Sequence, residues 1–428
     1  MKILWLSHLV PYPPTGLGVL QRSYNLIREL ALWHEVHVLG FVQRQLFEDI
    51  GINATAGTRA GSTELLGFCK EVEFLPISSD RNRLGKLTLA AKSLFTRDPY
   101  SINWLKSHQM LRTALDWRDR GRFDLVHFDT ISLAPYHGIF ADHATTLDHH
   151  NIESHMLLRR AALEANLVKR AYFWQEGERL ARYEARMCPK FDLQITCSRL
   201  DSERLLARIP GLEVSEIPNG VDVAYFRPDG REPSPRSVVF AGNLSWYPNA
   251  SAMLFFAERV WPLLRAVVPD VTMHVVGAKP PATLTDLAEA NPNFRVHGFV
   301  PDVRPYLNDA SVYVCPIMDG GGTKLKVLDA LATGKALVAH PVACEGIDVT
   351  DGKTVLFART AEEFVQHISG LFANRERARA MGAAARELAI SGYSYGSIGM
   401  RLGQVMEQCH DVWSRRLHGK STSLAKTG

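Results

Sequence analysis

The sequence lacks the long apolar segment that a membrane-spanning protein needs. No run of about 18 uninterrupted apolar residues occurs, which is the minimum length for a helix that crosses a bilayer. The first apolar run, residues 1–7, is soon followed by Pro11, Pro13 and Pro14, so it is too short for the core of a signal peptide. We therefore expect a cytoplasmic chain that does not cross a membrane.

Cysteine and net charge are also low. The six cysteines are scattered and form no Cys-x-x-Cys pair, which predicts reduced, buried thiols. The formal net charge is only +4 over 428 residues, whereas duplex nucleic acid is bound by a concentrated basic face. We expect no nucleic-acid partner, because this charge suits a small phosphate-bearing ligand or an anionic lipid surface better.

Two common ligand motifs are incomplete. Gly352, Lys353 and Thr354 reproduce the end of a phosphate-binding loop, but Ile347 stands where its first glycine belongs. Five histidines occur close together without the His-Glu-x-x-His spacing or the cysteine partner of a zinc site. We expect no metal and rank zinc below sugar contact for these histidines, which are His137, His143, His149, His150 and His155.

What the sequence does contain is a repeated alternation of short apolar strands and amphipathic helices. A strand over residues 1–7, a helix from about Val19 to Ala31 and a strand over residues 35–41 form one βαβ unit. With 46% hydrophobic and 22% charged residues, the composition is that of a globular protein. The alternation predicts an α/β fold with mostly parallel, doubly wound sheets.

The alternation stops and restarts once along the chain. A Pro/Gly-containing stretch at 217–222 precedes a new apolar strand that begins near Ser237. This break predicts two Rossmann-like domains, over residues 1–217 and 218–392. Residues 393–428 are predicted to form a helix that crosses back to the first domain, followed by a polar tail.

The most informative segment leads from an apolar strand through three glycines into a helix. Glycines let the backbone approach a ligand closely, and a helix predicted to begin at about Thr323 offers free amides and a positive dipole end to an anion. Lysines beside this helix start add positive charge, and Asp329 can accept hydrogen bonds from two ribose hydroxyls. The segment predicts a nucleotide-diphosphate site, with a glycine-rich turn bearing surface lysines as the alternative. Its residues are Gly320, Gly321, Gly322, Thr323, Lys324, Lys326 and Asp329.

This segment resembles the donor-binding region of retaining GT-B glycosyltransferases of family 4 (glycosyl transferases group 1). Residues 218–222, 240–249 and 297–300 are similar to further stretches of that family, and 11–18 is similar to its N-terminal loop. The resemblance covers residues 1 to about 410 and is more specific in the second half. It implies the GT-B fold, in which two Rossmann-like domains face a central cleft, and a retaining, metal-independent, hexosyl-type glycosyltransferase.

The resemblance implies roles for the residues of the second domain. The three glycines, Thr323 and Lys324 would hold the diphosphate, Lys326 would act catalytically by neutralising the leaving group, and Asp329 would hold the ribose. Phe299 and Val300 would flank the base. No Asp-x-Asp occurs in the sequence, so lysines and helix amides would have to balance the charge of the leaving nucleotide.

The sequence also departs from the family pattern. Gly321 and Asp329 stand at the two positions of a frequent Glu-x7-Glu pair, and Asn243 and Asn249 stand where Arg and Lys are frequent. Lys324 and Lys326 are therefore the main expected phosphate charges, with Asn243 kept among the donor-binding residues.

In the first domain, residues at the ends of strands are the candidates. Gly16 and Gly18 separate the first strand from its helix, where a donor crossing the cleft would approach the backbone. A dinucleotide-binding motif is excluded because Gln21 replaces its third glycine. Arg22 is a candidate for binding an acceptor phosphate, with a surface arginine as the alternative.

A second group of candidates follows a predicted strand near residue 147. The resemblance implies that Asp148 and His149 contact the transferred sugar and act in catalysis, with Asn151 on the acceptor side.

Together these features predict transfer of a sugar from a nucleotide-diphosphate sugar, with no further cofactor, to a glycan or lipid-linked acceptor. By resemblance, the setting is polysaccharide, exopolysaccharide or cell-envelope biosynthesis. Basic amphipathic segments at 81–97 and 155–188 predict peripheral contact with an anionic membrane at its inner face, with solvated helix faces as the alternative. The alternative functions are a nucleotide-sugar hydrolase or epimerase, and a non-catalytic nucleotide-sugar-binding protein.

Overall fold

The computed structural model describes residues 1–13, 18–49, 51–81, 83–319 and 323–424. The chain divides into two compact units: unit 1 is Met1–Ile217 with Ile398–Gly428, and unit 2 is Pro218–Ser397. The second division follows residue 397 and not residue 392, because Tyr395 still belongs to unit 2. Its ring packs on Gly220, and its backbone N–H donates to the carbonyl of Val221.

Unit 1 contains a seven-stranded parallel sheet in the order β3-β2-β1-β4-β5-β6-β7. This order is doubly wound, because the chain proceeds outward from β1 in both directions. The strands are β1 (Lys2–Ser7), β2 (Glu35–Val42), β3 (Glu71–Pro76), β4 (Leu125–Phe128), β5 (Ala144–His149), β6 (Leu193–Thr196) and β7 (Val214–Glu216).

Helices cover the sheet of unit 1. The helices are α1 (Gly18–Leu30), α2 (Arg44–Asp49), α3 (Ala54–Leu66), α4 (Arg83–Ser93), α5 (Tyr100–Trp104), α6 (His108–Gly121), α7 (Glu153–Leu163), α8 (Leu167–Met187) and α9 (Arg199–Arg208). The single helix-prone run expected at 155–188 is thus two helices. The break has a local cause, because the Asn166 side chain accepts hydrogen bonds from the amides of Val168 and Lys169 and so starts a new helix.

Unit 2 repeats the theme with a six-stranded parallel sheet in the order β10-β9-β8-β11-β12-β13. Its strands are β8 (Ser237–Ala241), β9 (Thr272–Val276), β10 (Phe294–Gly298), β11 (Val312–Cys315), β12 (Ala336–Ala339) and β13 (Leu356–Phe357). Its helices are α10 (Tyr247–Phe255), α11 (Trp261–Val267), α12 (Ala282–Ala290), α13 (Arg304–Asp309), α14 (Leu325–Ala332), α15 (Ala361–Ala373) and α16 (Arg375–Tyr393). A π-helical turn, Phe256–Val260, joins α10 to α11.

The last helix, α17 (Tyr395–Leu424), belongs to unit 1 from Ile398 onward. Its buried residues Ile398, Leu402 and Met406 share a hydrophobic cluster with Trp5 and Ile27. The helix extends to Leu424, within the segment predicted to be a helix followed by a polar tail. Among the described helices, none combines the length and apolar character that crossing a bilayer would require.

Candidate active site

Three adjacent strands of unit 2 end in a glycine or are followed by one at the carboxyl edge of the sheet. Gly242 follows β8, Gly277 follows β9, and Gly298 ends β10 with a φ of 67°. A Cβ on Gly277 would lie 1.9 Å from the carbonyl oxygen of Gly242, so only glycine allows these two backbones to approach. This edge therefore exposes backbone next to the helix predicted to hold the diphosphate.

Lys326 lies across this edge. Its Cε would be 2.8 Å from a Cβ placed on Gly242, and its Nζ is 5.4 Å from the centre of the Trp246 ring. The side chain is half-buried, and burial lowers the pKa of Lys326, partly offset by Cys315 and Asp329. The ammonium group is thus positioned at the carboxyl end of β8, where a cation could meet a phosphate.

Asp329 follows one turn later on α14. Burial raises the pKa of Asp329 to about 7, although Lys326 acts in the opposite direction. A carboxyl group with this pKa changes its charge near neutral pH, so its capacity to accept hydrogen bonds depends on pH.

Asn243 and Asn249 build the loop between β8 and α10. The Asn243 side-chain oxygen accepts hydrogen bonds from the backbone N–H and hydroxyl of Ser245, and the Asn249 amide donates to the Asn243 carbonyl at 2.7 Å. The Asn249 Oδ1 atom is buried without a hydrogen-bond partner in the described part of the chain. The side-chain oxygen of Asn243 thus stabilises its own loop, which differs from the direct donor contact expected for it.

The glycine loop itself, Gly320, Gly321 and Gly322, lies outside the described residues, as does Gly16 in unit 1. On its approach side, the Tyr247 hydroxyl donates to Asp319 at 2.7 Å. On its far side, Thr323 and Lys324 are buried, and Lys324 has extended backbone angles. Helix α14 therefore begins at Leu325 and not at Thr323, which leaves Lys324 as its N-cap.

The two residues predicted to flank the base differ in exposure. The Phe299 side chain is 74% exposed and follows the left-handed Gly298, whereas Val300 packs partly against the core of unit 2. Phe299 is therefore the one of the two that offers a free aromatic face.

In unit 1, the buried carboxylate of Asp129 at the end of β4 contacts four polar groups from the ends of β1 and β5 and from α1. Asp129 Oδ2 lies 3.2 Å from His8 Nδ1, and Asp129 Oδ1 lies 3.0 Å from His150 Nε2. The hydroxyls of Ser7 and Ser23 also donate to Asp129, at 3.3 and 3.0 Å. Although burial opposes its ionisation, the two histidines hold the pKa of Asp129 well below its usual range.

The two histidines are less buried than the carboxylate between them. The side chains of His8 and His150 are 17% and 16% exposed, while that of Asp129 is fully buried. Burial lowers the pKa of His150, but the carboxylate of Asp129 outweighs burial and raises it. The charge of Asp129 thus favours the protonated form of the His150 ring.

Arg22 and Asp148 form a buried ion pair. The Arg22 Nη2 donates to Asp148 Oδ2 at 2.9 Å and to Oδ1 at 3.2 Å. The two side chains are 1% and 0% exposed. In this conformation neither can touch a sugar or an acceptor phosphate, so their position differs from the ligand-binding roles expected for them.

His149, the second catalytic candidate, is also buried. Its Nε2 lies 3.0 Å from the side-chain oxygen of Gln194, and burial lowers the pKa of His149. Asp148 and His149 both still belong to β5. Side chains alternate along a strand, so the two point to opposite faces of the sheet, and each is buried by packed protein on its face. Gly18 is the first residue of α1, and Asn151 lies beyond the strand end.

A cavity of about 440 Å³ opens beside the histidines of unit 1. Its wall combines polar side chains with aromatic and aliphatic side chains from α5, α7 and α8. The residues that line it include His8, His150, Asn151, Trp104, Met156, Leu157 and Leu180.

Sequence reasoning missed His8 and Asp129, and it named His150 only among the five histidines weighed for zinc against sugar contact. Each follows a strand directly or nearly so, because Ser7 ends β1, Phe128 ends β4 and His149 ends β5. The rule that carboxyl ends of parallel strands meet at one edge could have identified them, since it is the rule that selected Asp148.

Solved structures share the fold of the whole chain. Sucrose-phosphate synthase from Thermosynechococcus elongatus is 16% identical, with a TM-score of 0.67 over 96% of this chain and 100% of that one. HepE of Anabaena, solved in complex with UDP, is 15% identical, with a TM-score of 0.60 over 95% and 100%. Residues 235–374 match the family described as glycosyl transferases group 1. The chain has the GT-B fold of these structures.

The chain is also similar to curated proteins. A 44.6 kDa protein of the cps region of Klebsiella pneumoniae, itself uncharacterised, is 21% identical over 385 residues, which are 86% of this chain and 90% of that protein. Phosphatidyl-myo-inositol mannosyltransferase of Mycolicibacterium smegmatis is 33% identical over 136 residues, or 30% and 34% of the two chains. The similarity to the first extends over both units of the chain.

Proposed function

We propose that this protein is a glycosyltransferase that moves a hexosyl group from a nucleotide-diphosphate sugar to a glycan or lipid-linked acceptor, with retention of anomeric configuration and without a metal. The observation that carries the proposal is the position of Lys326 over Gly242, with Asp329 one turn further on the same helix. The proposed setting is polysaccharide, exopolysaccharide or cell-envelope biosynthesis. The similarity to a cps-region protein supports this setting.

In the proposed reaction the protein mainly stabilises the leaving group. The bond between the sugar anomeric carbon and the phosphate oxygen breaks, and the acceptor hydroxyl oxygen attacks the same face. The hydroxyl proton passes to the departing phosphate. Lys326, together with Lys324 and the glycine loop, balances the diphosphate charge, and Asp329 accepts the ribose hydroxyls. Because UDP occurs in the HepE complex, UDP-sugars are the first donors to test.

Replacement of Lys326 tests the proposal directly. In Lys326→Ala, loss of the ammonium group should reduce kcat/KM for transfer by a factor on the order of 100, comparable to loss of one preorganised charge-stabilising donor. Lys353→Ala is the matched control, since Lys353 is an exposed lysine of the same unit. Transfer from UDP-, GDP- and ADP-sugars to glycan and lipid extracts is the measurement, and equal activity of the Lys326→Ala variant and the parent would refute the phosphate role.

The same assay separates the remaining alternatives. Nucleotide release without an acceptor would favour a hydrolase or epimerase, and donor binding in calorimetry without transfer to any extract would favour a binding protein. The anomeric configuration of the product, read by NMR, tests retention. Unchanged rates in EDTA are expected for a metal-independent reaction.

We further propose peripheral contact of unit 1 with an anionic membrane from the cytoplasmic side. The loop and first turn between α7 and α8 expose Leu163, Leu167 and Val168 beside Lys169 and Arg170. Adjacent apolar and basic side chains suit the boundary between anionic headgroups and acyl chains. These five residues form the α7–α8 tip.

A further inference from the structure

We propose that the cavity of unit 1 binds an acceptor that carries an apolar group, held at its polar end by His8 and His150 and at its apolar end by Trp104 and Leu157. The inference rests on the proposed transfer reaction and adds to it the location and the chemical class of the acceptor. It begins from the cavity of about 440 Å³, which these four residues line.

The polar end of the cavity has hydrogen-bonding capacity to spare. Asp129 is hydrogen-bonded to one ring nitrogen of each histidine, Nδ1 of His8 and Nε2 of His150. The other ring nitrogen of each makes no hydrogen bond within the residues that the structure describes. Because the fully buried carboxylate fixes the orientation of both rings, two preoriented nitrogens remain for the hydroxyl groups of a ligand.

The apolar end is built by three helices. Trp104 on α5 stands with Met156 and Leu157 on α7 and Leu180 on α8 around the same cavity. A free monosaccharide would leave these carbon surfaces in contact with water, whereas an aliphatic or aromatic substituent would remove them from water. The lining therefore favours an amphiphilic acceptor over a purely polar glycan.

A metal ion is the competing occupant of the histidine end. One atom each from His8, Asp129 and His150 lies within 4.8 Å of the others. However, both oxygens of Asp129 already receive hydrogen bonds, from the histidines and from Ser7 and Ser23. A ligand that uses the outer ring nitrogens leaves all these bonds intact, which is why the acceptor is preferred here.

Calorimetry with two simple glycosides tests the inference on the full chain. The probes are n-octyl β-D-glucopyranoside below its micelle concentration and methyl β-D-glucopyranoside, which has the same sugar without the chain. The octyl glycoside should bind saturably and at least about 10-fold more tightly than the methyl glycoside, in the range expected for burying several methylenes. Equal affinities of the two probes would overturn the apolar part of the proposal.

Substitutions then locate the site. Trp104→Ala should remove most of the preference for the octyl glycoside, while Trp33→Ala, at an exposed tryptophan of the same unit, should leave it unchanged. His150→Gln should weaken both probes alike. Leu157→Ala, which shortens the same apolar wall, should also reduce the preference and covers the case in which Trp104→Ala fails to fold. Unchanged octyl binding in Trp104→Ala or Leu157→Ala, together with unchanged binding in His150→Gln, would place the site elsewhere, and loss of binding in EDTA would assign the histidines to a metal.

Failure of this inference and failure of the proposed function give different results. Probe binding to unit 1 requires no donor, so it is measured whether or not transfer occurs. Binding of UDP-glucose with transfer to other acceptors, but without a preference for the octyl glycoside, would overturn only the acceptor class. Absence of both nucleotide binding and transfer would overturn the proposed function.

Discussion

At the scale of single residues, Asp329 should make donor binding depend on pH. Burial raises its pKa to about 7, so the carboxylate that accepts hydrogen bonds is present above that pH and is lost as the pH falls through it. The affinity for UDP-glucose, whose diphosphate does not titrate near neutrality, should therefore fall several-fold, about 5- to 10-fold, between pH 8 and pH 6. Calorimetry at both pH values is the measurement.

The control for this prediction is a second carboxylate of unit 2. Asp329→Asn should bind UDP-glucose weakly and almost equally at both pH values, whereas Asp286→Asn, at an exposed position on α12, should keep the dependence of the parent. A pH dependence that survives in Asp329→Asn would show that another group titrates.

For single residues, the sequence indicated the strand end that borders the unit 1 cavity but did not identify which of its residues lines the cavity. It selected Asp148 and His149 because they end a strand, but their side chains still face packed protein. His150, one position later, reaches the cavity. The first residue beyond the strand is set by where the last hydrogen-bonded pair of the sheet forms. Asp148 is also held by its ion pair with Arg22, which is 126 positions away in the sequence. Neither fact is visible in a local pattern.

At the scale of elements, the contact between the start of α7 and the end of α8 contains a second group that responds to pH. Glu184 on α8 accepts hydrogen bonds from the backbone N–H and hydroxyl of Ser154 in the first turn of α7. Burial raises the pKa of Glu184 to about 7, although Ser154 acts in the opposite direction. Since the folded pKa is above that of an unfolded glutamate, protonation favours the folded state, and stability is lost as the pH rises through 7.

Glu184→Gln should therefore be more stable than the parent at pH 8.5, by on the order of 1–3 kcal/mol, and should lose this advantage near pH 5. Differences in thermal midpoint at the two pH values measure the effect. Glu178→Gln, on the same helix but partly exposed, is the control. A constant difference between Glu184→Gln and the parent at both pH values would contradict the assigned titration.

The α7–α8 tip yields a further prediction at this scale. Leu167→Glu combined with Val168→Glu places charge where 75% and 79% exposed apolar side chains now stand. Sedimentation with vesicles of phosphatidylcholine and phosphatidylglycerol should show a loss of binding of about 10-fold or more, because both the apolar and the electrostatic contributions fall. The same pair of changes should leave the octyl glycoside affinity unaltered.

Leu32→Glu combined with Trp33→Glu is the control for the vesicle experiment, since it adds the same two charges at two other exposed apolar residues of unit 1. Parent protein that binds neutral and anionic vesicles equally, or a double variant that binds as well as the parent, would argue against the α7–α8 tip as the membrane contact. The sequence indicated this region by its charge, but it could not show that the basic and apolar residues share a turn.

At the scale of the whole molecule, the alternation of strands and helices was enough to predict two doubly wound units, and the structure confirms this fold class. The strand orders were not predictable, because they depend on which helices cover which face of each sheet. The end of unit 2 was misplaced for a similar reason. Nothing in the residues near 393 indicates that Tyr395 packs on Gly220, which is 175 positions earlier in the chain by the residue numbers.

The contribution of α17 to unit 1 has a consequence for biosynthesis. The ribosome completes β1 and its neighbouring strands first, yet Ile398, Leu402 and Met406, which cover one side of them, emerge only after all of unit 2 has been made. Until then the nascent amino-terminal half exposes an apolar stripe around Trp5 and Ile27. Growing chains therefore expose this stripe until the residues beyond Met406 have been made, and a prematurely terminated chain keeps it exposed, which favours aggregation.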